Sequence, residues 1–308
     1  MEKIENLNKK LSDIFKKKMN DREYKRLKLK NKNYLIKNKS NAIKRNVEIL
    51  SNDNIELTVG LPIYKSKDIA WLALEGLCDQ KNINFKWELL ICEEIHDDMV
   101  GDEFFKKYIN RLKKNNCCRV EYIELIDWVN LPKKWKILGE HAHKKSKAFL
   151  LHAADCYSFS ERLSNTYNKI VDLNYDWYDT TKGYFYSFNS NRIVLYDIES
   201  LTNLNMGFST QFIRNLPESN LNSGIDGFLF KTFEKQKRDF RVYRDKELYS
   251  SGLDTHGFNN ISKRREEYFD SKPHIFKSTD LDLKDLDIKK TIIDKLKKQH
   301  EHLQNTKK

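Results

Sequence analysis

The segment from Phe149 to Ser158 brings one carboxylate, Asp155, to the end of an apolar run. Such a run is typical of a parallel strand covered on both faces, and open α/β sheets bind ligands at the carboxyl ends of these strands. A carboxylate oxygen suits Mg²⁺ or Mn²⁺ bound to a diphosphate. Small Ala153 and Ala154 leave room for a bulky ligand to approach the backbone. We therefore predict a ligand site at Asp155; the alternative is an acid that simply ends a strand.

A second group of acidic residues at the end of a predicted strand lies upstream in the sequence. The sequence predicts a strand over 55–64 that ends near Pro62, then a helix over about 68–80 with apolar residues at helical spacing. A further strand over 85–92 is followed by four acids within six residues, 93–98. Strand, helix and strand in this order predict a βαβ unit whose strand ends meet at one edge of a sheet.

These segments resemble the GT-A glycosyltransferases, in particular the large family 2 group that uses nucleotide-diphosphate sugars. The resemblance covers about 56–261 and is carried by Pro62-Ile63-Tyr64, by Glu93-Glu94, and by Asp155 with its continuation Ser158-Phe159-Ser160-Glu161-Arg162-Leu163. It implies an α/β fold of the GT-A (Rossmann-like) type. We expect a mixed, mainly parallel sheet flanked by helices, with added N- and C-terminal helices.

The resemblance also implies which residues hold the nucleotide. The family's first strand ends in a Pro-x-Tyr-like turn, and its second ends in an acidic pair that holds the base and ribose. The sequence has Glu where the family usually has Asp. The implied nucleotide-binding residues are Pro62, Tyr64, Glu93, Glu94 and Ala154.

The family's metal motif is Asp-x-Asp, and here Ala153 occupies the place of its first acid. Asp155 alone then needs phosphate oxygens, waters or another side chain to complete a shell around Mn²⁺ or Mg²⁺. His256, in the polar segment 251–260, lies where these enzymes often have a loop that closes over the diphosphate. We predict Asp155 and His256 as metal ligands; a histidine in a surface loop is the alternative.

Asp226 is the candidate general base. The segment 223–230 resembles the part of the family that carries the catalytic acid, and an inverting transfer needs a carboxylate that accepts the proton of the acceptor hydroxyl. A helix cap between two glycines is the alternative.

Lysines around Trp135 and before the strand at 149 are candidates for neutralising phosphate charge. The sequence does not choose among them: Lys133, Lys134, Lys136, Lys144, Lys145 and Lys147.

The resemblance therefore implies metal-assisted transfer of a sugar from a nucleotide donor, most simply a UDP-sugar, to a hydroxyl acceptor in a glycan, a protein or a modified nucleic acid. Two other functions stay open. The incomplete metal motif would suit a protein that binds a nucleotide sugar without turnover. The basic N-terminal segment would suit a nucleic-acid-binding protein, or a glycosyltransferase that modifies DNA.

Charge divides the chain unevenly. Residues 1–50 contain 16 Lys or Arg and 6 Asp or Glu, a net charge of +10 out of +12 for the whole chain. Ile4, Leu7, Leu11 and Phe15 form one helical stripe. We predict a basic helical arm over 1–50, available to nucleic acid or an anionic surface. A glycosyltransferase domain over 51–265 and a C-terminal helical extension over 266–308 complete the predicted domains.

The composition and the sequence pattern exclude several classes of protein. The 308 residues are 39% hydrophobic and 12% aromatic, which predicts a folded core rather than general disorder. The sequence has no membrane-spanning apolar run and no signal-peptide pattern, so we expect a cytoplasmic protein. Five cysteines without zinc spacing predict reduced thiols. Enrichment in Lys, Asn and Ile suggests a viral or AT-rich genome.

Overall fold

The structure is a computed structural model. It describes residues 42–51, 54–126, 128–197, 206–221, 225–236, 239–248, 251–256, 270, 273 and 275–306. For residues 42–45, Asp226, His256 and Thr306 only the backbone is described. The predicted helical stripe of residues 4–15 and the loop 257–260 lie outside the described residues.

The described residues form thirteen strands and eight α-helices. The strands are β1 (Ala42–Ile49), β2 (Leu57–Ile63), β3 (Trp87–Glu94), β4 (Cys117–Leu125), β5 (Ala148–Leu151), β6 (Cys156–Ser158), β7 (Trp177–Thr180), β8 (Lys182–Ser187), β9 (Arg192–Asp197), β10 (Gly207–Ser209), β11 (Val242–Asp245), β12 (Gly252–His256) and β13 (Phe276–Ser278). The helices are α1 (Ala70–Cys78), α2 (Asp102–Lys106), α3 (Ile109–Lys114), α4 (Leu131–His141), α5 (Arg162–Tyr167), α6 (Thr210–Arg214), α7 (Ile225–Gln236) and α8 (Lys290–Thr306).

Four parallel strands form the centre of the first sheet. Its order is β1-β4-β3-β2-β5-β10-β7-β11, in which β4, β3, β2 and β5 are parallel to one another. Strands β2, β3 and β5 are buried almost along their whole lengths, as continuous apolar runs predict for a sheet covered on both faces. The mixed, mainly parallel sheet and the βαβ unit predicted from the sequence are confirmed.

A second sheet, of five strands, lies beside the first. Its order is β13-β9-β8-β12-β6, and all of its neighbours are antiparallel except β8 and β12. The chain enters this sheet at β6, immediately after Asp155. About a hundred residues later, β12 pairs antiparallel with β6. The ends of β6 and β12 are thereby held next to the predicted metal ligand.

Helix α1 packs between the two sheets and is buried on nearly every side. Ala73, Leu74 and Leu77 pack in the core of the first sheet. Trp71 and Leu72 pack with the second sheet and with α8. A helix that is apolar all round is stable only when both of its sides are covered, so α1 fixes the two sheets relative to each other.

The opposite face of the first sheet is covered by α4, α6 and α7. The aromatic side chains of Trp135, Trp177, Phe208 and Phe233 lie in this core, and the Trp177 and Phe233 ring centroids are 5.6 Å apart in an edge-to-face arrangement. This core carries α4, which supplies a buried lysine to the candidate site described below.

Residues 42–49, which the sequence placed in the helical arm, form β1 instead. This strand pairs antiparallel with β4 from Ala42 opposite Leu125 to Ile49 opposite Arg119. The sheet therefore extends into the segment predicted as arm. Val47, Glu48 and Ile49 are all exposed, so this part of the strand has no alternation of buried and exposed side chains from which it could be predicted.

At the other end of the chain, the predicted C-terminal helix is confirmed as α8. Its apolar face, formed by Ile292, Ile293 and Leu296, packs in one cluster with Leu283, Leu286 and the second sheet. This extension therefore packs on the body of the same chain.

Two further expectations concern the whole chain. All five cysteines are free thiols, and burial raises the pKa of Cys92 to about 12, so that this thiol is unreactive. Among the described helices, none combines the length and the apolar character that a membrane crossing requires.

The contact between α1 and β6 generates a stability prediction. A Cβ added at Gly76 would lie 2.6 Å from the backbone nitrogen of Ser158, which cannot move without disturbing β6. We expect Gly76→Ala to lower the free energy of unfolding by about 1–3 kcal/mol, as overpacking does. Urea unfolding of both proteins measures the difference.

Gly227→Ala is the matched control. Its Cβ would meet no atom within 4 Å, and the position is helical. We expect this variant to be as stable as the wild type or up to about 1 kcal/mol more stable. Equal stability of the Gly76 variant and the wild type would contradict the close approach of α1 to β6.

Candidate functional site

The predicted turn at the end of β2 exposes an aromatic ring. β2 pairs with β5 only as far as Gly60 and with β3 as far as Ile63. Pro62 lies beyond the stretch paired with β5, so its missing N–H costs no ladder bond on that side. Tyr64 follows the strand, and 37% of its surface is exposed at the carboxyl edge of the sheet.

A buried ion pair lies directly beneath this turn. Glu94 ends β3 and Lys134 projects from α4; they are 2% and 3% exposed. The Lys134 Nζ lies 2.5 Å from Glu94 Oε2 and donates to the carbonyl oxygen of Ile63 at 2.6 Å. It also lies 5.4 Å from the centroid of the Tyr64 ring. One ammonium group therefore links β2, β3 and α4 at the edge where a ligand is expected.

The start of α4 is fixed by local contacts. The side chain of Asn130 caps the helix by accepting the Lys133 N–H at 3.1 Å, and Pro132 occupies the first turn. Just before the cap, the Val129 N–H donates to Glu94 Oε1 at 3.3 Å. These contacts place Lys134, rather than the exposed Lys133, against Glu94. The sequence offered both lysines as candidates without distinguishing them.

The neighbouring acid, Glu93, serves the protein itself. Successive side chains of a strand point to opposite faces, and Glu93 points away from Lys134 into the other core. Its carboxylate accepts hydrogen bonds from Val100 N at 2.9 Å, Gly101 N at 3.2 Å and the Tyr122 hydroxyl at 2.7 Å. Burial raises the pKa of Glu93. Its predicted nucleotide-binding role must compete with these bonds, which hold the loop after β3.

His96, for which the sequence predicted no role, lies beside Tyr64. The two ring centroids are 5.8 Å apart in an edge-to-face arrangement. The Asp98 N–H points at Nδ1 of His96 at 3.1 Å and the Lys65 N–H at Nε2 at 3.4 Å, and a neutral imidazole accepts from only one of them. Burial lowers the pKa of His96, which favours that neutral form. Tyr64 and His96 together make an aromatic wall above the ion pair.

Asp155, the predicted metal ligand, is half-buried in the turn between β5 and β6. The backbone N–H and the hydroxyl of Thr255 both donate to the Asp155 carbonyl oxygen, at 3.0 Å and 2.9 Å. His256 is the next residue, so the structure brings the backbones of the two predicted metal ligands together. The side chain of His256 lies outside the described residues. Ala154 is buried in the core of the first sheet.

The donor set can be compared with what a divalent cation needs. No group of three or more His, Cys, Asp or Glu side chains capable of holding a metal occurs within the described ranges. Asp155 supplies one hard oxygen donor of the kind that Mg²⁺ and Mn²⁺ prefer. A metal here would be held by Asp155 and His256, with the diphosphate oxygens of a ligand completing the shell.

His152, another residue that the sequence did not single out, holds the turn that carries Asp155. The Ala153 carbonyl oxygen can only accept, so Nδ1 of His152 carries the proton and donates to it at 2.8 Å, and Nε2 accepts from the Ser158 hydroxyl at 2.7 Å. The His152 N–H also donates to the Gly60 carbonyl oxygen at 3.0 Å. A neutral imidazole thus bridges both ends of the turn.

Asp226, the predicted base, is the second residue of α7. Its side chain lies outside the described residues, so its role stays a prediction.

Arg162 and Leu163, which carry part of the family resemblance, are both fully buried in α5. Burial lowers the pKa of the Arg162 guanidinium, which lies 5.5 Å from the centroid of the Tyr178 ring. These two residues therefore anchor the segment that follows Asp155.

The buried ion pair generates a prediction on stability. Lys134→Met leaves the Glu94 carboxylate buried without its cation, and we expect a loss of about 3–5 kcal/mol of unfolding free energy. The double variant Lys134→Met with Glu94→Gln should recover most of that loss, because no buried charge remains. Chemical denaturation of the three proteins measures both effects.

Lys133→Met is the control, since Lys133 is exposed, and it should change stability by no more than about 0.5 kcal/mol. If Lys134→Met were as harmless as Lys133→Met, the buried pair would not be present in solution.

The burial of His152 generates a prediction on pH. Burial lowers the pKa of His152 to about 4, whereas an unfolded histidine titrates near 6.5. The unfolded chain binds the proton first as the pH falls, so this group's stabilisation is complete above about pH 6.5 and is lost towards pH 4. Between pH 7 and 4.5 the wild type should lose about 2–3 kcal/mol more unfolding free energy than His152→Gln. An identical pH dependence of the two proteins would show that His152 is not buried in the neutral form.

Comparison with known proteins supports the fold. No protein-family model matches the sequence, and no curated protein matches it. Among solved structures, S. aureus TarS 1–349 in complex with UDP-GlcNAc matches with a TM-score of 0.52 at 13% identity, over 79% of this chain and 70% of that chain. The longer S. aureus TarS structure matches with a TM-score of 0.50 at 13% identity, over 79% of this chain but only 42% of that one.

A mannosyltransferase from Pyrobaculum calidifontis, solved in complex with GDP-Man and Mn²⁺, also matches, with a TM-score of 0.46 at 12% identity over 72% of this chain and 62% of that chain. The present chain thus spans less than half the length of the longer TarS structure. The likeness to TarS, together with the strand order of the first sheet, shows that this chain has the GT-A-type fold of the nucleotide-diphospho-sugar transferases.

Proposed function

We propose that the protein transfers a sugar from a nucleoside-diphosphate donor, a UDP-sugar in the first instance, to a hydroxyl acceptor. The observation that carries this proposal is the cluster at the carboxyl edge of the first sheet. There the exposed ring of Tyr64 stands above the buried Glu94–Lys134 pair, on the edge at which β5 leads to Asp155. The TarS structure with UDP-GlcNAc, which shares the fold, supports the choice of a UDP-sugar.

The donor's base and ribose would bind between Tyr64 and Glu94. An aromatic ring offers a stacking face to a planar base. Glu94 accepts one hydrogen bond from Val129 and is paired with Lys134, so a ligand here would meet a carboxylate already held in one orientation. Pro62 shapes the turn that presents Tyr64. Glu93 would act indirectly, by holding the loop that carries His96 and the aromatic wall.

The diphosphate would lie beside Asp155. Ala154 is buried, so a ligand would approach this turn at the half-buried Ala153 and Asp155, and the Thr255 hydrogen bonds hold the turn in place. Mn²⁺ or Mg²⁺ bound by Asp155 and His256 would supply positive charge to the leaving diphosphate. The chain's own contribution is to orient the Asp155 carboxylate through the turn bridged by His152.

Transfer would proceed by a single displacement with inversion. The acceptor hydroxyl oxygen forms a bond to the anomeric carbon while the bond from that carbon to the diphosphate oxygen breaks. The proton of the hydroxyl passes to the carboxylate of Asp226, and the nucleoside diphosphate leaves with the bonding electron pair. This assignment of the base rests on the family resemblance and on the position of Asp226 in the first turn of α7.

One specific observation favours a second function. Ala153 stands where the metal motif has its first acid, and a site with a single carboxylate would also suit a protein that binds a nucleotide sugar without turning it over. Such a protein would retain donor binding but show neither hydrolysis nor transfer. The basic segment 1–41, the basis of a nucleic-acid-binding function, lies outside the described residues.

The proposal predicts different defects for the two acids. Asp155→Ala should weaken donor binding roughly tenfold or more in the presence of Mn²⁺, and should abolish any difference between Mn²⁺ and EDTA. Asp226→Ala should leave the donor Kd within about threefold of the wild type while lowering the transfer or hydrolysis rate by about 10²–10⁴-fold. Calorimetry and product analysis with a panel of UDP-, GDP- and TDP-sugars measure both effects.

Asp280→Ala removes an exposed acid elsewhere on the chain and serves as the control, with both properties unchanged. A full reaction rate in Asp226→Ala would overturn the assignment of the base. Failure of the wild type to bind any donor in the panel would overturn the proposed function.

A further inference from the structure

A groove runs along the surface between α4 and α7. It consists of two depressions that share Pro217. The larger, of about 510 Å³, lies against α7 and includes Gly227 and Phe228. The smaller, of about 210 Å³, lies against the start of α4 and includes Trp128 and Asn130. Together they make an open channel rather than a closed cavity.

The groove is lined by four lysines. Lys133 and Lys136 lie three residues apart on α4, and Lys231 and Lys235 lie four apart on α7, so that each helix presents its pair on one face. The acidic lining residue is Glu218. Within the part of the chain that the structure describes, none of the four lysines forms an ion pair. Four positive charges against one negative charge make this surface a site for an anion with several charges.

An exposed aromatic ring lies at one end of the groove. Trp128 is 55% exposed, whereas the other four tryptophans of the chain are at most 3% exposed. An indole left in water at the rim of a groove offers a flat face on which a base or a sugar ring can stack. The exposed amide side chain of Asn220 adds hydrogen-bonding groups.

The position of the groove connects it to the proposed donor site. Val129 lines the groove, and its N–H donates to Glu94. At the other end, Gly227 lines the groove and directly follows Asp226, the proposed base. A molecule in the groove would therefore reach from the donor-binding edge to the first turn of α7, the region that an acceptor hydroxyl must enter.

We propose that this groove binds the acceptor, and that the acceptor is a phosphodiester-linked polymer. Its phosphates contact the lysines of α4 and α7, one of its rings stacks on Trp128, and a hydroxyl of the same chain approaches the donor. This inference rests on the proposed sugar transfer, because it names the acceptor class for that reaction. It uses only described residues and is independent of the basic segment 1–41.

The test measures binding of two fluorescent 15-mers, an oligothymidylate and an oligomer of the same length without bases, to the full-length protein. The variant Lys133→Ala with Lys231→Ala removes one lysine from each helix. If each lysine contacts a phosphate, the slope of log K against log salt becomes shallower by about 1.4, and affinity at 0.1 M salt falls about 20-fold. The variant Lys113→Ala with Lys114→Ala removes the same charge from exposed positions on α3 and should have little effect.

Equal losses in the groove variant and in the α3 control would overturn the proposal, because binding would then depend on net charge alone. The variant Trp128→Ala distinguishes two kinds of phosphodiester polymer, those with bases and those without. A loss restricted to oligothymidylate assigns a nucleic acid, and an equal loss on both oligomers assigns a polymer without bases.

The failure of this inference can be told from that of the proposed function. UDP-sugar binding is measured on the same variants and should be unchanged by the lysine substitutions. Intact donor binding without lysine-dependent polymer binding overturns the acceptor assignment alone. Lysine-dependent polymer binding without any donor binding overturns the proposed transferase function and leaves the groove as a polymer-binding surface.

Discussion

The candidate site depends on the buried ion pair between Glu94 and Lys134. Removing two charges from water is costly, and the cost is offset only if the partners are close and their other hydrogen bonds are made. The two charged groups are close, and each makes one further hydrogen bond: Lys134 donates to the Ile63 carbonyl oxygen and Glu94 accepts from Val129. The pair therefore requires the ends of β2 and β3 and the start of α4 to remain together, and that arrangement places Tyr64 at the edge.

The second sheet provides the other half of the site. It attaches through β6 directly after Asp155, and Thr255 at the end of β12 donates two hydrogen bonds to the Asp155 carbonyl oxygen. Helix α1, buried between the sheets, packs against both and so connects this attachment to the sheet that carries the ion pair. The nucleotide end and the phosphate end of the proposed donor site are thus carried by different sheets, and the packing of α1 sets the spacing between them.

The sequence was sufficient for elements with strong local patterns. The buried strand before Asp155, the βαβ unit and the C-terminal helix were predicted, because burial on both faces or at helical spacing leaves a readable pattern. The strand ends at Leu151, however, and a turn rather than the strand tip carries Asp155. Contacts between distant segments were not predicted: the second sheet pairs β6 with β12 about a hundred residues away, and β1 was mistaken for part of the arm. Likewise, the pattern could not tell Glu93 from Glu94, or Lys134 from Lys133, because that distinction depends on which face each side chain reaches.

The most direct test of the central claim is a crystal structure of the protein grown with UDP and Mn²⁺. We expect the uracil and ribose beside Tyr64 and Glu94, and the diphosphate beside Asp155 with the metal between them. UDP bound elsewhere, such as in the lysine groove, or an edge that stays empty at saturating UDP, would contradict the claim that the carboxyl edge of the first sheet is the donor site.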